Sequence, residues 1–236
     1  MADKTTLWLI PARGGSKGIP GKNLKAFCGL SLVARAILQA KECAGAGDII
    51  HVSTDSKEIK EEAENIGVCV PFMRPAPLAS DTASTYSVIL HTLEEYKKRG
   101  ENIEKVVLLQ PTSPLRKKED IEGALKLWQP DFDMVVSVCE AKANPYFNAF
   151  EEDNMGYLKI SKGEGKYTRR QDAPSVWEYN GAVYVITTES LLAGPISSFS
   201  KIKGFEMPSS RSVDLDTPED WMLAEYLWKE MNKKQN

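Results

Sequence analysis

Between Leu7 and Asn23 the chain reads L-W-L-I-P-A-R-G-G-S-K-G-I-P-G-K-N, an apolar run that breaks at once into a loop of four glycines, one arginine and two lysines. A short apolar strand ending in such a loop suits an open α/β sheet, where ligands gather beyond the carboxyl ends of the strands. The glycines Gly14, Gly15, Gly18 and Gly21 let backbone amides approach an anion closely, and Arg13, Lys17 and Lys22 bring positive charge to the same place. The loop therefore predicts a polyanionic guest. Counting excludes two better-known phosphate loops. A P-loop needs four residues between its first glycine and the Gly-Lys pair, followed by Ser or Thr, whereas five separate Gly15 from Gly21 and Asn23 follows Lys22. The dinucleotide pattern G-x-G-x-x-G fails too, and Pro20 stands where a crossover helix would already be running.

A length of 236 residues suits one α/β domain with room for a small insertion, and 42% apolar against 27% charged residues argues against disorder. With a net charge of -3, any basic site is local, which speaks against a nucleic-acid coat or a binder of anionic membranes. Four scattered cysteines and only two histidines fit neither structural zinc nor a disulfide framework. The start M-A-D-K-T-T lacks the apolar core of a signal peptide and no apolar run reaches membrane-spanning length, so a reduced, cytoplasmic protein is expected.

Along the chain, strands and helices alternate. Ser31 is placed to cap a helix with Leu32, Val33, Ala36, Ile37 and Ala40 on one face. Ile49–Ser53 reads as a strand, a helix is expected over about 57–66, and Val68–Met73 reads as a further strand. His51, inside an apolar run with no partner histidine or carboxylate cluster, reads as a core residue. The stretch R-P-A-P-L-A-S-D-T-A-S-T is a loop that leads into a helix capped by Asp81 or Thr82. V-V-L-L-Q is a strand, which leaves Gln110 at its carboxyl end, either satisfying a loop or facing a ligand.

After the strand at Met134–Val138 the rhythm changes. From Glu140 to Trp177 no long helical period appears, and the segment reads as an inserted β-rich arm over residues 140–177, between parts 1–139 and 178–236 of one α/β domain. Its run Y-T-R-R-Q-D is basic within an acidic protein, as a solvated loop or as a binding element. Tyr179–Thr187 alternates like a strand returning to the core, with a turn or bulge at Asn180-Gly181. Phe205–Pro208 reads as one more short strand. In V-D-L-D-T-P, Thr217 caps a last helix with Pro218 at its first position. Asp214 and Asp216, two apart on an extended segment, project to the same side. Two such carboxylates suit magnesium, although acids near a helix start also stabilise it.

The stretches P-A-R-G-G-S-K-G-I-P-G-K-N, R-P-A-P-L-A-S-D-T-A-S-T, L-L-Q-P-T-S-P-L-R, R-R-Q-D, N-G-A-V-Y and D-L-D, in this order, resemble the CMP-sialic acid synthetases (N-acylneuraminate cytidylyltransferases) of the nucleotide-sugar transferase group. The resemblance implies a doubly wound, mainly parallel sheet and a β-rich insertion that forms a homodimer or dimer of dimers. It implies transfer of CMP from CTP to an acidic nine-carbon sugar, with pyrophosphate released. Arg13, Gly14, Lys22, Asn23, Arg74, Ala83 and Thr85 would then hold the nucleotide. Gln110, Arg170, Gln171, Asn180 and Tyr184 would face the sugar, Arg170 and Gln171 by reaching toward a partner's pocket. Asp214 and Asp216 would hold Mg2+, with Arg13, Lys22 and Asp216 as the catalytic group. Deaminated neuraminic, legionaminic and pseudaminic acids are related substrates, the eight-carbon lipopolysaccharide sugar fits less well, and a non-catalytic nucleotide-binding regulator is the alternative of a different class. Where the bacterial sialic-acid enzymes often place a lysine after the proline matching Pro145, this chain has Tyr146, Phe147 and Asn148.

Overall fold

In the computed structural model, which describes residues 4–233, the first apolar run forms β1 at Thr5–Pro11 with its centre buried. The glycine-rich loop returns through a small hairpin, β2 at Ala26–Phe27 and β3 at Leu30–Ser31, into α1 at Leu32–Cys43. Then come β4 (Ile49–Ser53), α2 (Lys57–Asn65), α3 (Thr85–Lys98), β5 (Ile103–Leu109), α4 (Lys118–Leu127) and β6 (Met134–Glu140). A second hairpin, β7 (Phe150–Glu152) with β8 (Leu158–Ile160), precedes β9 (Trp177–Thr187), α5 (Thr188–Ala193), β10 (Ile202–Glu206) and α6 (Pro218–Lys233).

The main sheet has the order β10-β6-β9-β5-β1-β4. β1 runs parallel to β4 and β5, and β10 parallel to β6, while β9 is antiparallel to both β5 and β6. Period-two alternation along β1 builds the two layers. Trp8 and Ile10 face a core closed by α1, α2 and α4, whereas Leu7 and Leu9 face one closed by α3 and α5. The doubly wound, mainly parallel architecture expected from the sequence is what forms.

Ser31 caps α1 as expected, its Oγ accepting from the Ala34 amide at 3.1 Å. Thr217 and Asp220 form a reciprocal cap at the start of α6. Asn180-Gly181 does interrupt β9. Pairing with β6 shifts register between Val136 and Val138, and Gly181 takes φ +73°, a backbone that side chains resist.

Two local expectations are corrected. Val68–Met73 is not a strand: Val68 and Val70 are buried in alternation, but Pro71 lacks a donor and the segment instead leads to Arg74, whose amide bonds the Thr54 carbonyl at 2.7 Å. The cap of α3 is Ser84, whose Oγ accepts from the Ser87 amide at 3.0 Å, because Asp81 is engaged elsewhere. A third apolar cluster matters most for the site. Phe27 meets Trp221 and Trp228 of α6 edge to face, and Ile19 and Leu215 join the same cluster, so the last helix clamps the segment bearing Asp214 and Asp216 against the glycine-rich loop.

Candidate active site

A cleft of about 590 Å³ opens at the carboxyl ends of β1 and β5. The glycine-rich loop supplies Arg13, Lys17, Gly18, Lys22 and Asn23 to its wall, the loop before α3 supplies Arg74, Ala83 and Thr85, the turn after β5 supplies Gln110 and Thr112, and the segment before α6 supplies Asp214 and Asp216. Nine residues singled out from the sequence for nucleotide, sugar or metal thus share one cavity.

Within the loop, Lys22 crosses the cleft. Its Nζ donates to the Leu215 carbonyl and lies 3.2 Å from Asp216 Oδ1. Asn23 is buried, donating from Nδ2 to the Arg13 carbonyl at 2.9 Å, so it braces the loop while its Oδ1 makes no hydrogen bond among the described residues. Gly14 donates its amide to Asp55 at 2.9 Å and stands beside the cleft rather than in its wall. Gly18 lies so close to the Asp216 backbone that a Cβ there would run into the Asp216 carbonyl oxygen. Arg74 is nearly buried, its guanidinium donating to the Ser53 hydroxyl at 3.0 Å and the Ser53 carbonyl at 2.6 Å. Burial pulls its pKa down to about 10, which leaves it charged at neutral pH.

Asp214 and Asp216 differ in setting. Asp216 is exposed beside Lys22. Asp214 is largely shielded, and burial raises its carboxyl above the usual carboxylate range, opposed by a Thr112 hydroxyl bond and assisted by the charge of Asp216. Its Oδ1 is buried with no hydrogen-bond partner among the described residues. A cleft-lining aspartate with an unpartnered carboxylate oxygen, beside the second carboxylate of Asp216, fits magnesium, which takes one or two protein carboxylates and completes its shell from water and phosphate. Among the described residues no group of three or more His, Cys, Asp or Glu gathers as a metal cage, so the two aspartates would hold the ion with the nucleotide's help.

Four sugar-facing candidates lie outside the cleft wall. Arg170 and Gln171 are exposed on the arm, with Arg170 donating to the carbonyls of Ala141 and Lys142. Asn180 is buried at the β9 bulge. Tyr184 is half-buried against Tyr179, its hydroxyl pushed up to about 12 by burial and by the charge of Asp214. His51 is a core residue as expected, stacked on Phe72 at 4.4 Å and bonded through Nδ1 to the Tyr96 hydroxyl.

Sequence reasoning missed three groups at the site. Asp81, expected as a cap, bridges Arg13 at 2.8 Å and Lys17 at 2.7 Å. Thr112 supports Asp214 and accepts the Leu215 amide at 2.9 Å. Arg116, fully enclosed, donates to the carbonyls of Gln110 at 3.1 Å and Ala182 at 2.5 Å and thereby joins β5 to β9 beneath the cleft. The only sequence signal for the last two is their position in the turn that follows Gln110.

Residues 7–227 match the model of a protein family described as Cytidylyltransferase. The chain belongs to the cytidylyltransferase family. Within it, this cytidylyltransferase is 32% identical to the CMP-N,N'-diacetyllegionaminic acid synthase of Legionella pneumophila, with 97% of each chain covered. It is 36% identical to post-translational flagellin modification protein B of Campylobacter coli over 96% of each. The N-acylneuraminate cytidylyltransferase of Streptococcus agalactiae is 35% identical over 91% of this chain, which spans 51% of that longer protein. In fold, this cytidylyltransferase is similar to a solved CMP:2-keto-3-deoxy-manno-octonic acid synthetase, with a TM-score of 0.70 at 18% identity over 97% of this chain and 100% of that one.

Proposed function

We propose that the chain transfers CMP from CTP to the anomeric hydroxyl of a nonulosonic acid. The hydroxyl oxygen gives up its proton to water and forms a bond to the α-phosphorus, the bond from that phosphorus to the β-phosphate bridge breaks, and pyrophosphate leaves with its electron pair. The observation that carries the reading is the single cleft in which the cationic glycine-rich loop meets the Asp214–Asp216 pair. Support for the sugar class comes from relatives named for legionaminic, N-acylneuraminic and pseudaminic acids.

In this reading Arg13 and Lys22 neutralise charge gathering on the triphosphate, Lys22 being held on station by the Leu215 carbonyl. Arg74, Ala83 and Thr85 hold cytosine and ribose, Asn23 Oδ1 is free to accept from the base, and Gln110 faces the boundary between nucleotide and sugar. Mg2+ held by Asp214 and Asp216 would supply Lewis-acid neutralisation of phosphate oxygens. Neither histidine lines the cleft, so the protein's own contribution is binding, orientation and charge rather than imidazole proton transfer.

Residues 140–177 act in this reading as a dimerising arm on a catalytic unit formed by 1–139 and 178–236, and Arg170 and Gln171 reach a partner's cleft. A cytoplasmic setting, where CTP is made, goes with it. Among the described residues no helix is long and apolar enough to cross a membrane. Within the sugar class, a legionaminic-type acid is the second reading. It is favoured by two relatives of that name that match along nearly their whole length, and by Tyr146-Phe147-Asn148 in place of the expected lysine. A regulator without chemistry is disfavoured because Lys22, Asp214 and Asp216 are all present and all line the cleft.

The test is pyrophosphate release with Mg2+ and CTP across N-acetylneuraminic, deaminated neuraminic, diacetyllegionaminic and pseudaminic acids, with ATP, GTP and UTP as controls. Release with CTP and one or more of the acids is expected. Silence across the panel, with CTP still bound, would remove the catalytic reading for these sugars.

A further inference from the structure

Asn180 is 5% exposed, and all four hydrogen-bonding positions of its amide are taken up within the protein. Oδ1 accepts from the Ser137 hydroxyl at 2.6 Å and from the Ala182 amide at 3.1 Å. Nδ2 donates to the Ser212 hydroxyl at 2.9 Å and lies 3.4 Å from Met207 Sδ. The Ala182 N–H fixes this orientation, since a flipped amide would oppose donor to donor. Nothing on the side chain remains to bind a ligand.

What it binds instead is informative. Ser137 belongs to β6 and Ala182 to β9, but Met207 and Ser212 belong to the segment between β10 and α6, and Ser212 stands two residues before Asp214. Leu215 pins the far side of that segment through its amide to the Thr112 carbonyl at 2.9 Å. Next to Asn180, Gly181 has no side chain, and a Cβ there would lie 2.9 Å from Gln110 Oε1 and 3.5 Å from Asp214 Oδ2. The bulge backbone is thus the floor on which both side chains rest.

We propose that Asn180 is a positioning residue for the metal-binding carboxylates: through Ser212 it ties the acid-bearing segment to the β9 bulge and sets where Asp214 and Asp216 stand. It does not touch the sugar. The proposal rests on the magnesium reading above and assigns a different task to a residue that family resemblance places at the sugar.

Ser212→Ala removes the bridge at its half-exposed end, and Asn180→Ala removes it at the buried end, with thermal melting to confirm folding. Binding of Mn2+ alone is followed by water-proton relaxation, in parallel with wild type and Asp214→Ala. Both bridge variants are expected to bind Mn2+ about fivefold or more weakly, as for one lost hydrogen bond, and Ser212→Thr to recover most of the loss. The Mg2+ concentration for half-maximal turnover rises in step, while KM for the acid turned over in the panel changes by less than about twofold. Unchanged Mn2+ affinity in Ser212→Ala, or a raised KM for the acid with metal binding intact in Asn180→Ala, overturns the positioning role. Equal Mn2+ binding by wild type and Asp214→Ala would sink the magnesium reading itself, and this proposal with it.

Discussion

At the scale of single residues, Lys22 and Gly18 show two ways in which one side chain controls the cleft. Lys22 is mostly shielded and reaches both the Leu215 carbonyl and Asp216, so its charge is held where the triphosphate would lie rather than swinging in solvent. Lys22→Ala is expected to lower turnover at saturating CTP by about 10²- to 10³-fold, the usual cost of losing one well-placed electrostatic contact, with little change in melting temperature. Near-wild-type turnover in a folded variant would remove Lys22 from the chemistry. Gly18 works by absence. A methyl there meets the Asp216 carbonyl, which is backbone and cannot rotate aside, so Gly18→Ala must push the loop and the acid-bearing segment apart. The expected cost is about 1–3 kcal/mol in urea unfolding, together with a higher Mg2+ requirement. The glycines and cations of this loop were legible because they are local in sequence. Their partners were not: Asp55 and Asp81 lie dozens of residues from Gly14 and Arg13, and no spacing rule links them.

Elements were legible where apolar period and punctuation agree, and lost where they conflict. β1, β4, β5, β6 and the interrupted β9 follow their apolar runs, and Asn180-Gly181 announced its bulge through the need for a positive φ. Val68–Met73 has the alternation of a strand but carries Pro71, and a missing donor outweighs the pattern. The stretch does place Phe72 on His51, which joins β4 to α3 through Tyr96. His51 is pulled down to about 3, first by burial and then by the charges of His91, Arg74 and Arg99. In the unfolded chain an ordinary histidine protonates near pH 6.5, so between these values the unfolded state binds the extra proton and stability falls as pH falls. From neutral pH to about pH 5.5, this one group is expected to cost about 1.3 kcal/mol in unfolding free energy. His51→Asn keeps a partner for the Tyr96 hydroxyl but cannot titrate, so its stability should decline less steeply over the same range in urea titrations. An unchanged slope would assign the acid sensitivity to other groups.

At the scale of the whole molecule, one site requirement points beyond a single chain. Arg170 and Gln171 lie on the exposed arm and contribute nothing to the cleft wall of their own subunit, yet an acidic sugar in the cleft needs a cation for its carboxylate. Arg13 and Lys17 are paired with Asp81, Lys22 lies against Asp216, and Arg74 is turned to Ser53. In a two-fold dimer built through the arm, each subunit can lend its arginine to the other's cleft, an arrangement that the family resemblance of R-R-Q-D implies but that periodicity and spacing alone do not give, because it depends on how two copies pack. The argument has a numerical consequence. Lys22→Ala disables the cleft of the chain that carries it, whereas Arg170→Ala disables the cleft of its neighbour. In a mixed dimer of the two variants one cleft receives both defects and the other receives neither. Random assembly makes half the dimers mixed, so co-expression of two nearly inactive variants should restore about a quarter of wild-type turnover per subunit. If Arg170 serves its own cleft, every cleft in every dimer keeps one defect and turnover stays at the level of the separate variants. Sedimentation of the same preparations checks that dimers are present, so an unrestored rate in a dimeric sample would overturn the exchange of arginines between subunits and leave the sugar carboxylate to a cation of the same chain.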